Sequence, residues 1–151
     1  MTFQTWHNFN SQYVDLNSST VNWCFELEKE HFPWPWQQSD WQNFTKNNRK
    51  YLLVSDEKRA FALWELDNHP HAYLLKIITK PDKRESGIAS KLMTLSVDIL
   101  RDLGFKDSSL EVQVDNKAAI SFYLKHSWQQ ERRIKGFYAN GQDAFTMVLK
   151  I

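Results

Sequence analysis

The feature that most restricts how this chain can fold is a strand that leads through a short polar loop into a helix, between Leu74 and Met93. The run Leu74–Ile78 is mostly apolar, has the length of a strand and is followed by Pro81, which predicts a buried strand. Apolar residues then recur at helical spacing, at Ile88, Leu92, Leu95, Ile99 and Leu103. The stretch therefore predicts a strand, a loop and a helix around which the rest of the chain is organised.

The loop inside this unit, with the sequence RESGIAS, is a predicted phosphate site. The first N–H groups of a helix have no partner within the helix, and the positive end of the helix dipole lies behind them. A helix that begins between Lys83 and Gly87 therefore attracts an anion, and Gly87 lets a ligand come close to the backbone. An ordinary strand-to-helix turn, with Gly87 chosen for steric reasons, explains the same residues.

The rest of the chain reads as further strands and helices. Before the loop, an edge strand, a helix, a short helix and a three-stranded antiparallel meander are predicted over Thr2–Phe9, Val21–His31, Asp40–Lys46, Tyr51–Val54, Arg59–Glu65 and Ala72–Thr79. After it, a helix, a strand, a helix and a hairpin are predicted over Ser86–Leu103, Ser109–Asp115, Asn116–His126, Trp128–Tyr138 and Asp143–Lys150. We expect the hairpin to turn around Asn140-Gly141, and the whole order to form a mixed α/β sheet.

Composition excludes several classes of protein. The 151 residues are enough for a single domain with its own core. Lys and Arg number 19 against 18 Asp and Glu, and this net charge of +1 is scattered, so neither nucleic acid nor a membrane is a predicted partner. Cys24 is the single cysteine, the N-terminus lacks a signal-peptide pattern, and no apolar run approaches ~20 residues, so we expect a cytoplasmic protein.

Other catalytic chemistries lack their motifs. The five His residues are dispersed and no spacing joins them to Cys24 as a metal set, so no metal is predicted. The sequence contains no Gly-x-Ser-x-Gly elbow, no Walker loop and no dinucleotide-binding glycine pattern.

Four segments occur in an order that resembles one enzyme family. They are FPWPW at Phe32–Trp36, RESGIAS at Arg84–Ser90, LEVQVDNKAAISFY at Leu110–Tyr123 and FYANGQDAFTM at Phe137–Met147. From about Phe32 to the C-terminus the chain resembles the GNAT N-acetyltransferases, and among these the ribosomal-protein-alanine (RimI-like) branch. The resemblance implies the GNAT fold, an α/β (α+β) fold with a mixed, mostly antiparallel central sheet of about seven strands flanked by about four helices.

The resemblance also implies that acetyl-CoA is the cosubstrate. The backbone of Ile77, Ile78 and Thr79 would pair with the pantetheine arm, and one strand N–H would face the thioester carbonyl. The residues implied at the pyrophosphate are Arg84, Glu85, Ser86, Gly87, Ile88, Ala89 and Ser90. Glu85 stands where many relatives carry Arg, so its side chain must point away from the phosphates. Asn116 would also contact the cofactor, although a helix cap explains it equally well.

In this family pattern Glu111 corresponds to the general base and Tyr123 to the general acid. Glu111 would take a proton from the attacking amine, which is easier for an α-amine with a pKa near ~8 than for lysine near ~10.4. Tyr123, with an ordinary pKa near ~10, would protonate the departing thiolate. From alternation alone, Glu111 would only occupy the polar face of a strand and Tyr123 the apolar face of a helix.

The predicted acceptor is the N-terminal α-amine of a protein, such as a ribosomal protein, attacking acetyl-CoA directly because no activated nucleophile is apparent. Trp34, Trp36 and Tyr138 would contact it, although packing over the core explains the tryptophans too. Ser127 stands where relatives have Gly and would cost ~1 kcal/mol in a left-handed conformation. The alternatives are acetylation of a small amine or a lysine side chain, and a non-catalytic acetyl-CoA-binding regulatory module. A monomer and a homodimer are both compatible with the sequence.

Overall fold

The strands and helices follow the predicted order. The computed structural model describes residues 3–7, 18–32, 34–44, 50–55, 59–81 and 87–151. In these ranges the strands are β1 (Phe3–His7), β2 (Lys50–Ser55), β3 (Ala60–Asn68), β4 (His71–Thr79), β5 (Asp107–Gln113), β6 (Gln129–Ile134) and β7 (Ala144–Lys150). The helices are α1 (Ser18–His31), α2 (Gln38–Phe44), α3 (Ile88–Asp102) and α4 (Lys117–Lys125). None of these described helices combines the length and the apolar character needed to cross a membrane.

A seven-stranded sheet in the order β1-β2-β3-β4-β5-β7-β6 organises these elements. Strands β2 to β4 form the antiparallel meander that the sequence predicted, and β1 pairs antiparallel with β2 at the edge. Strand β7 pairs antiparallel with both β5 and β6. Strands β4 and β5 are parallel, which requires a crossover connection, and α3 provides it. The predicted class, a mixed and mostly antiparallel sheet with flanking helices, is confirmed.

Apolar side chains cover both faces of the sheet. Along β3, Ala62 and Trp64 belong to a first core that includes Leu92 of α3. Phe61 and Leu63 belong to a second core that α1 and α2 cover. Successive side chains of a strand point to opposite faces, so α3 lies on one face and the α1–α2 pair on the other.

The C-terminal hairpin differs from its prediction. The chain turns at Asn140-Gly141 as predicted, since the Gly141 N–H donates to Tyr138 O at 2.9 Å, but β6 ends earlier and a loop over residues 135–143 leads to β7. Asp143 accepts a hydrogen bond from the Gly136 N–H at 2.9 Å, so a side chain satisfies a backbone group that further strand pairing would have used. Tyr138 therefore lies in this loop and not on a strand.

Helix α4 ends at a left-handed Ser127, with φ of 71°. The Ser127 N–H donates to Leu124 O at 3.1 Å, and the Trp128 N–H donates to Tyr123 O at 3.0 Å. These two bonds define a Schellman motif, in which the left-handed residue is usually Gly. The motif brings the ring of Tyr123 to 5.9 Å from the buried ring of Trp128, and it thereby positions one of the predicted catalytic residues.

Candidate active site

Strands β4 and β5 pair at one end and then separate. Their registered pairs are His71 with Asp107, Ala72 with Ser108, and Tyr73 with Ser109. His71 ties this end together, because Nδ1 contacts the Asp107 carboxylate and Nε2 shares a hydrogen bond of 2.8 Å with Ser109 Oγ. Beyond Tyr73, β4 is paired with β3 along one edge only among the described residues. Its other edge keeps N–H and C=O groups for an extended ligand.

The separation opens a cavity of about 770 Å³. Its walls come from β4, β5, the first turn of α3, helix α4 and the two loops that contain Trp34 and Tyr138. A volume of this size lies within the range of sites that enclose most of a small-molecule ligand.

The predicted cofactor residues fall into two groups. Those that line the cavity are Ile77, Ile78, Thr79, Gly87, Ile88, Ala89, Ser90 and Asn116. The remaining three, Arg84, Glu85 and Ser86, lie outside the described residues, and their contacts stay predictions.

Gly87 stands at the N-cap of α3 in a left-handed conformation, with φ of 80°. A Cβ at this position would meet no atom within 4 Å, so the backbone conformation and not crowding calls for glycine. Among the described residues no side chain caps the helix, which leaves the N–H groups of its first turn available to a ligand. The turn and the predicted anion site therefore use the same residue for different reasons.

Glu111 lies on β5 at the cavity wall and is half-buried. The predicted alternation is observed, because Leu110 and Val112 are buried on either side of it. Among the described residues Glu111 Oε2 has no hydrogen-bond partner. Burial raises the pKa of the Glu111 carboxyl, and the positive charge of Arg132 opposes part of this effect.

Two tyrosines complete a cluster with Glu111. Burial raises the pKa of the Tyr123 hydroxyl, and the neighbouring Tyr138 raises it further. Burial also raises the pKa of Tyr138 to about 12, with a contribution from the negative charge of Glu111. All three side chains line the same cavity. Tyr123 is protonated at neutral pH, as expected, but its pKa is not the ordinary value that the sequence suggested.

Asn116 caps helix α4, as predicted. Its Oδ1 accepts a hydrogen bond from the Ala119 N–H at 3.2 Å. Because the cap uses Oδ1, the side-chain NH₂ group is what Asn116 offers to a ligand in the cavity that it lines.

Of the two tryptophans that were predicted to contact the substrate, Trp34 lines the cavity and Trp36 does not. Trp34 lines the cavity and stacks on Tyr138, with ring centroids 5.9 Å apart and planes inclined by 15°. Its Nε1 is buried and has no hydrogen-bond partner among the described residues. Trp36 does not line the cavity and packs instead on Trp41, with ring centroids 5.3 Å apart. The Trp36 N–H donates to Glu28 Oε1, which holds the residue against the second core.

The sequence did not point to several residues of the cavity, nor to a buried ion pair whose Lys76 is also among the lining residues. The cavity residues are His31, Gln113, Phe122 and Lys125. The ion pair joins Glu28 of α1 to Lys76 of β4. Lys76 interrupts the apolar run Leu74–Ile78, and this was the available signal, because fully buried charges are almost always paired. Within the described ranges no three His, Cys, Asp or Glu side chains gather as a metal site.

Comparison with known families settles the broad class. The profile of the Acetyltransferase (GNAT) family matches residues 20–128. The chain belongs to this family. The matched residues include β4, β5, α3 and α4, which form most of the cavity wall of this GNAT protein.

Individual relatives are acetyltransferases of protein N-termini by name. N-alpha-acetyltransferase 30 of Schizosaccharomyces pombe is 36% identical over 77 residues, which cover 51% of this chain and 51% of that protein. A Bacillus subtilis protein named for acetylating the alanine of ribosomal protein bS18 is 26% identical over 149 residues, covering 91% of this chain and 93% of its own. The match spans 40% to 51% of the length of the first three curated relatives.

A solved structure shows the same fold. Arabidopsis thaliana Naa50, in complex with the bisubstrate analogue CoA-Ac-MVNAL, superposes with a TM-score of 0.78 at 16% identity. The superposition covers 100% of this chain and 100% of that chain.

Proposed function

We propose that the protein transfers the acetyl group of acetyl-CoA to the N-terminal α-amine of a protein. The observation that carries this proposal is the meeting of three features in one cavity: the open edge of β4, the uncapped start of α3, and the cluster formed by Glu111, Tyr123 and Tyr138. These features fit acetyl-CoA, because an extended arm can pair with a strand edge and a diphosphate can bind a helix N-terminus. When bound, acetyl-CoA supplies a thioester that an amine can attack.

The backbone does most of the binding in this proposal. Ile77, Ile78 and Thr79 offer N–H and C=O groups to the arm as a neighbouring strand would. The first turn of α3, from Ile88 to Ser90, offers N–H groups to the diphosphate, and Arg84, Glu85 and Ser86 extend this site as predicted residues. Asn116 contributes its side-chain NH₂ from the opposite wall.

Glu111 acts as the general base. An attacking amine must be neutral, and a carboxylate in the same cavity can accept its proton directly or through water. The raised pKa of Glu111 brings its basicity closer to that of an α-amine, whose ordinary pKa is ~8, and this makes the transfer less unfavourable. A lysine acceptor, with a pKa of ~10.4, would leave a larger gap.

Tyr123 acts as the general acid that protonates the departing sulfur. Its raised pKa means that it holds its proton until a basic group develops nearby. A free thiol has a pKa of ~8.5, but a thiolate that forms in a buried site is poorly solvated and therefore more basic. The burial that weakens Tyr123 as an acid thus also strengthens the group that receives its proton.

The mouth of the cavity suits a peptide. Trp34 and Tyr138 stack on each other in the cavity that Glu111 lines, and the buried Trp34 Nε1 is a donor that lacks an acceptor among the described residues. A backbone carbonyl of the acceptor peptide would satisfy it. The names of the relatives, which include N-alpha-acetyltransferases, support an α-amine as the acceptor.

Three peptides test this proposal with acetyl-CoA and mass detection. The first begins with alanine, the second with Met-Val-Asn-Ala-Leu, and the third has a blocked N-terminus and one lysine. We expect a single acetyl group on the α-amine of at least one free peptide and none on the blocked one. Acetylation of lysine alone, or binding of acetyl-CoA without any transfer, would contradict the proposal and favour a lysine acceptor or a binding module, respectively.

A further inference from the structure

The ion pair between Glu28 and Lys76 has no part in the proposed chemistry, and yet it is almost completely enclosed. The exposed fractions of the two side chains are 0% for Glu28 and 5% for Lys76. Enclosing two charges costs several kcal/mol per ion, and well-packed apolar residues often serve stability as well. Because stability alone does not explain a buried ion pair, this pair is a candidate for positioning other parts of the protein.

A β-bulge points Lys76 at Glu28. Strand β3 pairs Leu63 with Lys76 and Trp64 with Leu74, so Leu75 is an extra residue in β4. Because of this extra residue, Lys76 faces the second core, on the side of α1, together with Leu75. Without the bulge, Lys76 would share a face with Leu74 and point toward the first core. The bulge lies where β4 leaves β5, which is also where the cavity begins.

Both members of the ion pair contact the aromatic loop, defined here as the described residues Phe32 and Trp34–Trp36. Glu28 Oε1 accepts hydrogen bonds from the Trp36 N–H at 3.0 Å and from Trp41 Nε1 at 2.9 Å. Lys76 Nζ lies 5.0 Å from the ring centroid of Phe32 and 4.6 Å from that of Trp36. The charged groups thus contact the first and last residues of the loop.

The loop reaches the cavity with Phe32 and, in its middle, with Trp34. Trp34 lies between the two contacted residues and stacks on Tyr138, and both line the cavity that Glu111 also lines. Strand β4, which carries Lys76, is also the strand whose open edge faces the cavity. A displacement of the loop relative to β4 would therefore change the distance between an acceptor at Trp34 and a thioester at β4.

We propose that Glu28 and Lys76 are positioning residues that hold the aromatic loop, and so Trp34, at a fixed place relative to β4. This inference rests on the proposed function, because it assigns to the loop the binding of the acceptor peptide. The buried pair holds Trp34 in place at the mouth of the cavity before the peptide binds. It has little effect on the binding of acetyl-CoA.

Kinetics of Lys76→Met, alone and with Glu28→Gln, test the inference. The double variant leaves no unpaired buried charge and keeps an acceptor for the Trp36 N–H, so it remains informative if the single variant does not fold. We expect the KM for the peptide to rise at least about tenfold, because small displacements of positioning groups are costly. The dissociation constant for acetyl-CoA should stay within about twofold, since the proposed contacts on β4 are backbone groups from Ile77 to Thr79, while the Lys76 side chain faces the second core.

A double-mutant cycle with Trp34→Ala separates positioning from general destabilisation. If Lys76 acts through Trp34, Lys76→Met should change the peptide KM by less than about twofold once Trp34 is absent. Leu100→Ala is the matched control, because Leu100 is fully buried in the first core, away from the loop. It should lower the melting temperature without changing the peptide KM.

Hydrogen exchange provides a readout that needs no peptide. In the wild type the Trp36 N–H is protected by Glu28, and Lys76→Met should speed its exchange at least about tenfold, while the amides of β7 stay protected. Additive effects in the cycle, or unchanged exchange at Trp36, would overturn the inference and leave the proposed function intact. A wild-type protein that acetylates no peptide would overturn the proposed function, and this inference with it.

Discussion

Replacing Glu111 with glutamine removes the proposed base and keeps the size of the side chain. General-base catalysis is worth about 10²–10⁴-fold in rate, and Glu111 is the only carboxylate among the described residues that line the cavity. We therefore expect kcat to fall by about 10²–10⁴-fold near neutral pH. The dissociation constant for acetyl-CoA should change by less than about twofold, because Glu111 lies on β5 while the open strand edge is on β4.

The activity should also change with pH in a direction that the protonation of Glu111 determines. The wild type needs an ionised Glu111, so kcat/KM falls as the pH drops through the pKa of this carboxyl. Burial raises that pKa, so the fall occurs at a higher pH than for an ordinary glutamate. Glu111→Gln should lack this limb and keep only the rise that accompanies deprotonation of the free amine, near a pKa of ~8.

The same group affects stability. A raised pKa means that the folded state holds the proton more tightly than the unfolded chain, so the free energy of unfolding decreases as the pH rises from the ordinary pKa to the raised one. The destabilisation is absent below this window and complete above it. Glu111→Gln should therefore gain in melting temperature relative to the wild type at about pH 8 and lose this gain toward about pH 4.

Steady-state acetylation followed by mass spectrometry, calorimetric titration with acetyl-CoA and thermal denaturation at both pH values check these outcomes. Gln113→Ala is the control. Gln113 lies two residues further along the same strand and also lines the cavity, but its amide side chain cannot act as a base. A Glu111→Gln variant whose kcat stays within about threefold of the wild type across the pH range would refute the role of Glu111 as a base.

Three further predictions concern other parts of the site. Tyr123→Phe should lower kcat by about 10²-fold or more while its melting temperature stays close to that of the wild type, and a normal kcat would argue for a packing role alone. Gly87→Ala should destabilise the protein by about 1 kcal/mol in urea denaturation and raise the KM for acetyl-CoA, because its Cβ has room but φ of 80° is unfavourable for alanine. Ser127→Gly should stabilise the protein by up to about 1 kcal/mol in the same assay, because Ser127 is exposed and left-handed at the end of α4, and an unchanged midpoint would contradict this account of the Schellman motif.

Local patterns were sufficient for most of the fold. The apolar periodicity after Leu74 placed β4 and α3, and the alternation around Glu111 predicted the burial of Leu110 and Val112, although β5 begins and ends two residues earlier than expected. Asn116 marked the start of α4, and the position of Ser127, where relatives have Gly, allowed the left-handed end that is observed. These predictions succeeded because each depends on a few neighbouring residues, whose spacing alone determines which face they present.

Predictions that depended on distant residues fared less well. Strand β6 was expected to continue to Tyr138. Instead, Asp143 accepts a hydrogen bond from the Gly136 N–H, and Tyr138 lies in a loop, where its ring stacks on Trp34. Trp36 was predicted to contact the acceptor because of its neighbours in the loop. Its ring packs instead on Trp41, and its N–H donates to Glu28 in the preceding helix.

The sequence by itself determined the class of sheet, the order of its elements and the residue types available for amine acetylation, because these follow from local periodicity and from motifs of contiguous residues. Tertiary structure alone decided where β4 separates from β5, that a bulge at Leu75 turns Lys76 toward Glu28, and that Glu111 shares its cavity with two tyrosines. The physical reason is that burial and pairing set the charge state of a group and the direction of its side chain. Both depend on segments that meet only when the chain has folded.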